Sequence, residues 1–165
     1  MSKRHGFLIL DACVLIDYVH ADASVLGTVS RHIAPIAVVR PVFDEVDRLD
    51  EALAARLCLQ IVDVELDVAS EASRTRGPLS FQDRLCLIVA QRERWTCVTN
   101  DKALRLACSA EKVSVIWGLE MMLRAVRAGA MTRKDALAVA LAISAENPKY
   151  VTKALVETFA KKLGT

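Results

Sequence analysis

The chain of 165 residues is poor in the residue types that build irregular, stacking or zinc-binding structures. It contains six glycines and four prolines, which leaves little room for long loops. Aromatic residues make up 5% of it, which argues against a base-stacking platform for single-stranded nucleic acid. Its three histidines lack metal-ligand spacing, and its formal net charge of +2 gives no large basic field. What is abundant is hydrophobic residues, at 53%, enough for the core of one domain.

The five cysteines form no CxxC pair, and they lie in apolar stretches. An odd number of such cysteines predicts buried, reduced thiols rather than disulfides, as in a cytosolic protein. The amino-terminal stretch starts with basic residues, but Asp11 and Asp17 interrupt its apolar run. It is therefore a poor signal peptide and too short to span a bilayer. We expect a cytoplasmic protein with no membrane partner.

Strand-like apolar runs alternate with helical patterns along the first 128 residues. The strand patterns cover residues 7–10, 35–39, 60–64, 96–99 and 113–116. The helical patterns cover residues 14–30, 44–59, 66–76, 81–94, 102–110 and 119–128. The second of them is either one helix or two helices jointed near Leu49-Asp50. This alternation predicts an α/β protein with three α/β/α layers around a central parallel sheet of about five strands. Sites in such sheets form beyond the carboxyl ends of the strands.

The last part of the chain has no strand pattern. Thr132 and Asp135 form a capping box that opens one helix, and Asn147-Pro148 separates it from a second helix over residues 149–163. We expect a domain of residues 1–130 with a helical extension of residues 131–165 packed on it. Charge is uneven: residues 41–76 carry four basic and nine acidic side chains, whereas residues 77–165 carry fourteen and eight.

Phosphate-binding and nucleophile motifs of the types GxGxxG, GxxxxGK[ST] and GxSxG are missing. Carboxylates at predicted strand ends and helix starts remain: Asp11, Glu45, Asp83 and Asp101. Helix capping is the structural alternative for three of them, and a solvated helix face is the alternative for Glu45. Acids that meet at one sheet edge would repel each other, and Mg²⁺ or Mn²⁺ would neutralise that repulsion. The set therefore indicates metal-assisted phosphodiester hydrolysis.

Three segments together resemble the PIN domain, the fold of many toxin-type (VapC-like) endoribonucleases: FLILDACVLID, VVRPVFDEV and LSFQDRLCLIVAQRERWTCVTNDKALRLAC. The likeness covers about residues 6–128 and is most specific over residues 79–107. It implies a central parallel sheet and a Mg²⁺- or Mn²⁺-dependent nuclease acting on single-stranded RNA. It also implies, for toxin members, a small antitoxin whose peptide blocks the acidic cleft.

Carried over by position, the resemblance assigns the metal-binding and catalytic roles to four acids: Asp11, Glu45, Asp83 and Asp101. It makes Thr99 and Asn100 polar neighbours that orient the last acid or a water, and it places Ser80 at the start of the turn that holds Asp83. Three basic residues beside the acids are candidate phosphate contacts, with solvated helix surface as the alternative: Arg84, Lys102 and Arg105. The family usually has Asn, Ser or Thr two places after the first acid, where this chain has Cys13.

The alternative function is a PIN-like binding or scaffold module without cleavage activity. Apolar helices near residues 121–123 and 137–143 would then supply an interface to an antitoxin or to a second copy in a homodimer, although core packing is their ordinary use. A response-regulator type of phosphoacceptor domain ranks low, because no second acid follows Asp11 and no Lys follows the last strand. A haloacid-dehalogenase-like phosphatase would need DxD where Cys13 stands.

Overall fold

The computed structural model describes residues 6–74 and 76–164. They form five strands and ten helices. The strands are β1 (Leu8–Leu10), β2 (Ile36–Val39), β3 (Leu59–Val62), β4 (Thr96–Val98) and β5 (Val115–Ile116). The helices are α1 (Ala12–Asp22), α2 (Ser24–His32), α3 (Arg40–Phe43), α4 (Glu51–Arg56), α5 (Leu66–Arg74), α6 (Phe81–Glu93), α7 (Lys102–Ala110), α8 (Glu120–Arg127), α9 (Arg133–Glu146) and α10 (Lys153–Leu163).

The five strands form one parallel sheet in the order β3-β2-β1-β4-β5. The central strands β1 and β2 are buried along their whole length, because helices cover both faces of the sheet. The predicted three-layer α/β/α fold is confirmed. The chain moves outward from β1 to β3 and then returns to place β4 on the other side of β1. This reversal opens a crevice at the carboxyl ends of β1 and β4, where such folds bind ligands.

The predicted helix over residues 14–30 is wrong as a single element. It consists of α1 and α2, which meet at an angle of 114°. The side chain of Asp22 accepts a hydrogen bond from the backbone N–H of Ser24 at 3.0 Å. This local bond competes with the helical hydrogen-bond pattern and begins a new helix two residues later.

The predicted helix over residues 44–59 is helical only within α4. Arg48 adopts a left-handed backbone conformation with φ of 65°, which ends any helix running through it. Asp50 then caps α4, since its Oδ1 accepts from the backbone N–H of Leu53 at 2.7 Å. Glu45 consequently lies in the turn after the single-turn helix α3, and not on a long helix.

The carboxyl-terminal helices pack on the rest of the molecule: α9 lies against α1, and α10 lies against α8 and α9. Helix α10 begins at Lys153, four residues later than predicted. Two hydrogen bonds, one buried and one partly buried, fix the connection between α9 and α10. Ser144 Oγ donates to the carbonyl of Val151 at 2.7 Å, and Asn147 Nδ2 donates to Asp17 Oδ1 on α1 at 3.0 Å. The extension therefore completes the helical layer over α1.

All five cysteines are free, as the sequence predicts. Three of them are buried, but Cys13 and Cys58 are exposed, so the prediction of buried thiols is wrong for these two. Cys13 lies on the outer side of the first turn of α1, and Cys58 occupies a left-handed turn between α4 and β3 with φ of 57°.

Within residues 6–74 and 76–164, every helix taken singly is too short or too polar to cross a bilayer. Only the bent pair of α1 and α2, counted together, has the length and composition of a span. Both helices contribute buried side chains to the core.

Candidate metal centre

Asp11 lies where β1 ends and α1 begins, and its carboxylate is held at both oxygens. Oδ1 accepts from the backbone N–H of Val14 at 2.9 Å, which makes Asp11 the N-cap of α1. Oδ2 accepts a short hydrogen bond from the hydroxyl of Thr99. The residue is 2% exposed. Its position after a buried central strand, between two adjacent helices, leaves little access for bulk water.

Thr99 joins the loops that follow the two neighbouring strands β1 and β4. Its hydroxyl donates to Asp11, and the same oxygen accepts from the backbone N–H of Asp101 at 3.0 Å. Asp101 in turn caps α7, because its Oδ1 accepts from the N–H of Leu104 at 3.1 Å. One buried hydroxyl thus fixes the two acids relative to each other across the crevice.

Asp83 enters the same region from α6, which packs against β1. Its backbone N–H donates to Ser80 Oγ at 3.1 Å, and its carboxylate accepts hydrogen bonds from the side chain and the backbone of Ser80. This is the capping box predicted from the sequence. It holds a half-buried carboxylate in the first turn of α6, within electrostatic reach of Asp11 and Asp101.

Burial and neighbouring charges affect the ionisation of Asp11 and Asp83. The pKa of Asp11 is raised from 3.8 to about 6, chiefly by burial and to a smaller extent by the charges of Asp83 and Asp101, against the hydrogen bonds from Thr99 and Val14 that lower it. Burial, followed by the charge of Asp101, also raises the pKa of Asp83, although its bonds to Ser80 oppose that shift. Hydrogen bonds from helix N–H groups ordinarily lower the pKa of a capping aspartate. Here burial and like charges outweigh them.

Glu45 is not brought into this group. It is exposed in the turn after α3, and its charge is not among the principal causes that shift the pKa of Asp11 or Asp83. Moreover, in the part of the chain that the structure describes, no three Asp, Glu, His or Cys side chains are arranged to hold one metal ion together. The four acids therefore do not form a ready-made coordination cage.

The donor chemistry of Asp11, Asp83 and Asp101 nevertheless fits Mg²⁺ or Mn²⁺. Both are hard cations that prefer oxygen ligands, and Mg²⁺ usually keeps several waters while binding one or two carboxylates together with substrate phosphates. A divalent cation beside these acids would offset the repulsion that raises the pKa of Asp11. A partly hydrated ion does not require three protein ligands in contact with it.

The three predicted phosphate contacts have different surroundings. Arg84 is committed to the turn before α6, since its Nη1 donates to the carbonyl of Leu79 at 2.8 Å, and its buried Nε has no partner among the described residues. Arg105 Nη1 donates to the carbonyl of Thr99 at 3.3 Å. Lys102 is exposed at the start of α7. Of the three, Lys102 and Arg105 remain suited to meet a phosphate beside the acids.

The sequence did not reveal how the polar residues after β4 are used. Thr99 was expected to orient Asp101 or a water, and it also binds Asp11. Asn100 supports the loop after β5, because its Oδ1 accepts from the N–H of Gly118 at 2.9 Å. The buried hydroxyl of Tyr18 donates to the carbonyl of the same Gly118 at 2.7 Å, and no sequence motif predicts this contact.

Cys13 does not replace the usual polar partner of the first acid. Although the residue as a whole is exposed, its sulfur is partly removed from water, and this, followed by the charges of Asp11 and Asp17, raises the pKa of the thiol to about 11. A thiol that stays protonated at neutral pH is a poor nucleophile and a weak hydrogen-bond donor. The partner of Asp11 is Thr99, which comes from the neighbouring strand.

Comparison of the chain with protein-family models, with curated protein sequences and with solved structures finds no match. The likeness to the PIN domain accordingly rests on the motifs of this chain and on the position of their residues. Asp11, Asp83 and Asp101 lie together at the carboxyl edge of the sheet, and Glu45 lies apart from them.

Proposed function

We propose that this protein is a metal-dependent endoribonuclease that hydrolyses phosphodiester bonds in single-stranded RNA. The observation that carries the proposal is the position of Asp11, Asp83 and Asp101, within electrostatic reach of one another beyond the carboxyl ends of β1 and β4. A helix cap needs one carboxylate, and it gains nothing from two others whose charges oppose its ionisation. Grouped acids at a switch point are explained by a ligand that carries positive charge.

Asp11, Asp83 and Asp101 are the residues that would hold Mg²⁺ or Mn²⁺. Such an ion lowers the pKa of a bound water and stabilises the leaving oxyanion in phosphodiester hydrolysis. The chain itself contributes fixed geometry: Thr99 holds Asp11 and Asp101 in place, and Ser80 holds Asp83. Burial of the crevice strengthens the interaction of these carboxylates with any cation. Glu45 has no part in this proposal.

The RNA substrate and the toxin role come from the resemblance to the PIN domain. A toxin of this type would be made together with a small antitoxin whose peptide covers the acids. A reading frame for such a protein beside the one for this chain, and a complex of the two that no longer cleaves RNA, would support that role. The proposed nuclease activity does not depend on this toxin role.

A cleavage assay on labelled single-stranded RNA with Mg²⁺, with Mn²⁺ and with EDTA tests the nuclease. Asp83→Asn should lower the metal-dependent rate by about 100-fold or more, because the amide removes one anionic ligand. Asp135→Asn is the matched control, since both acids lie in the first turn of a helix and donate their N–H to a capping hydroxyl at 3.1 Å. Full activity of Asp83→Asn would exclude this residue from catalysis.

A binding or scaffold module without cleavage is the second candidate. The lack of a ready-made metal cage among the described residues favours it. Isothermal titration with Mn²⁺ separates the two, because a scaffold has no need for the ion. A nuclease should bind Mn²⁺ in the wild type and more weakly in Asp83→Asn, whereas absence of metal-dependent heat together with absence of cleavage would favour the scaffold.

A further inference from the structure

A cavity of about 170 Å³ lies between the loop after β5 and the helices α8 and α10. Leu123 and Phe159 belong to its apolar wall, and Trp117 and Asn100 line it from the side of the sheet. Asn100 stands between Thr99 and Asp101 in the chain, so the cavity adjoins the residues that hold the acids. Nothing in the proposed cleavage chemistry accounts for this cavity.

Trp117 is a partly exposed aromatic ring in a fixed position. Its side chain is 38% exposed, and the guanidinium of Arg105 lies 3.7 Å from the centre of the ring. Arg105 is itself fixed by its bond to the carbonyl of Thr99. The cation–π contact holds the indole without covering all of it, so a flat surface remains available next to a positive charge.

Asn100 supplies a directed polar group on the wall of the cavity. The residue is 9% exposed, and its Oδ1 is used by the N–H of Gly118. Its Nδ2 carries two N–H donors besides this acceptor oxygen. A ring carbonyl or ring nitrogen in the cavity would accept from it.

The charges around the cavity suit an anionic strand. Lys162 on α10 lines it and is exposed, and Arg105 borders it through Trp117. Among the described residues, Glu120 is the acid on its wall; it lies 3.7 Å from the guanidinium of Arg124, and its charge also acts on Arg105. Three basic residues, Arg105, Arg124 and Lys162, thus stand against this acid, and positive charge remains in excess beside the cavity.

We propose that this cavity is a nucleobase subsite, in which one base of the RNA strand contacts Trp117 and Asn100 while flanking phosphates meet Arg105 and Lys162. The inference rests on the proposed nuclease function and identifies where its substrate is held. The volume is below the roughly 300 Å³ of sites for drug-sized ligands, so the cavity takes a single ring system. An apolar side chain of a partner protein would fill it but would leave the amide of Asn100 and both cations unpaired.

Tryptophan fluorescence tests the subsite without any cleavage. The chain has two tryptophans, so Trp95→Phe leaves Trp117 as the single fluorophore. In EDTA, nucleoside 5′-monophosphates should quench it in a saturable way, whereas ribose 5-phosphate, which lacks the base, should not. In the otherwise unchanged chain, Trp117→Ala should weaken binding of labelled RNA about tenfold or more, and Trp117→Phe should largely restore it. Leu141→Ala, at an exposed leucine of α9 away from the cavity, is the control.

The outcomes separate the subsite from the nuclease. In the cleavage assay, Trp117→Ala should raise KM by more than it lowers kcat. Saturable quenching by nucleotides without any cleavage would support the subsite and remove the proposed nuclease. Cleavage with the same KM in Trp117→Ala, or quenching by an apolar dye such as anilinonaphthalene sulfonate that nucleotides do not displace, would overturn the subsite in favour of an apolar docking surface.

Discussion

Replacing Asp11 by Asn separates the charge of this residue from its role as a helix cap. Asparagine caps helices about as well as aspartate, so its Oδ1 still accepts from the N–H of Val14. The amide cannot ionise, and it does not repel Asp83 or Asp101. In protein freed of metal with EDTA, we therefore expect Asp11→Asn to be more stable than the wild type at neutral pH.

The size of the effect follows from the pKa of Asp11, which is about 6 in the folded protein against 3.8 for a free aspartate side chain. A shift of about two pKa units corresponds to about 3 kcal/mol. Because the pKa of Asp11 is higher in the folded protein, its contribution to the free energy of unfolding is most favourable below pH 4. That contribution is lost as the pH rises through 6. At pH 7.5 the loss of this ionisation penalty in the variant should add up to about 3 kcal/mol, from which about 1 kcal/mol is subtracted because the amide nitrogen cannot accept from the hydroxyl of Thr99. The net gain of about 2 kcal/mol corresponds to a Tm higher by about 4–8 °C.

Urea denaturation in EDTA at pH 4 and at pH 7.5 measures the difference. The gain should be present at pH 7.5 and small at pH 4, since Asp11 is then protonated in the folded wild type. Asp50→Asn is a matched control, because Asp50 is also an N-cap, with its Oδ1 at 2.7 Å from the N–H of Leu53, but it is exposed. Its stability should change little at either pH.

The same denaturation experiment with Mn²⁺ measures how much the metal stabilises each protein. Mn²⁺ at about 100 times its Kd should stabilise the wild type at pH 7.5 by about 2.7 kcal/mol, and it should stabilise Asp11→Asn less. The reasoning is refuted if Asp11→Asn is less stable than the wild type at both pH values by the same amount. That result would mean that the carboxylate contributes more through its hydrogen bonds than it loses through burial and repulsion.

Two further predictions concern neighbouring buried groups. Thr99→Val should destabilise the protein by about 1–3 kcal/mol in urea denaturation, because it leaves a buried oxygen of Asp11 without its donor and the N–H of Asp101 without its acceptor. Its cleavage rate should fall with it, and an unchanged rate would show that this hydroxyl does not position the acids. Asp17→Asn should stabilise the protein by about 1–2 kcal/mol at pH 7.5 and not at pH 4, because burial raises the pKa of Asp17 to about 6 and its Oδ2 has no donor among the described residues. Thermal denaturation at the two pH values checks this, and equal stability of variant and wild type at pH 7.5 would contradict it.

The sheet was predictable from the sequence because strands buried on both faces have continuous apolar runs, as β1 and β2 do. A joint near Leu49-Asp50 was one of the two alternatives for residues 44–59, but the break between α1 and α2 and the backbone conformation at each break were not predicted, since they depend on single local events. Asp22 starts a new helix by bonding Ser24, and Arg48 adopts a left-handed conformation that no propensity predicts. The second of these breaks places Glu45 in a turn instead of on a helix.

For the candidate site, the sequence places Asp11 and Asp101 correctly at strand ends, since parallel strands share a carboxyl edge. It does not show that β4 lies next to β1, and the bond between Thr99 and Asp11 depends on that pairing. Trp117 carries no pattern at all in the sequence. Its proposed role is indicated only by its contact with Arg105 and by the cavity beside it, and both are visible only in the structure.

The bond between Thr99 and Asp11 joins residues 88 positions apart. During synthesis, β4 and Thr99 emerge well after Asp11, and α10, which lines the cavity, emerges later still. A growing chain therefore lacks an assembled crevice until most of it has left the ribosome. For a protein that cuts RNA, this order of assembly would protect the message and the ribosome that are still making it.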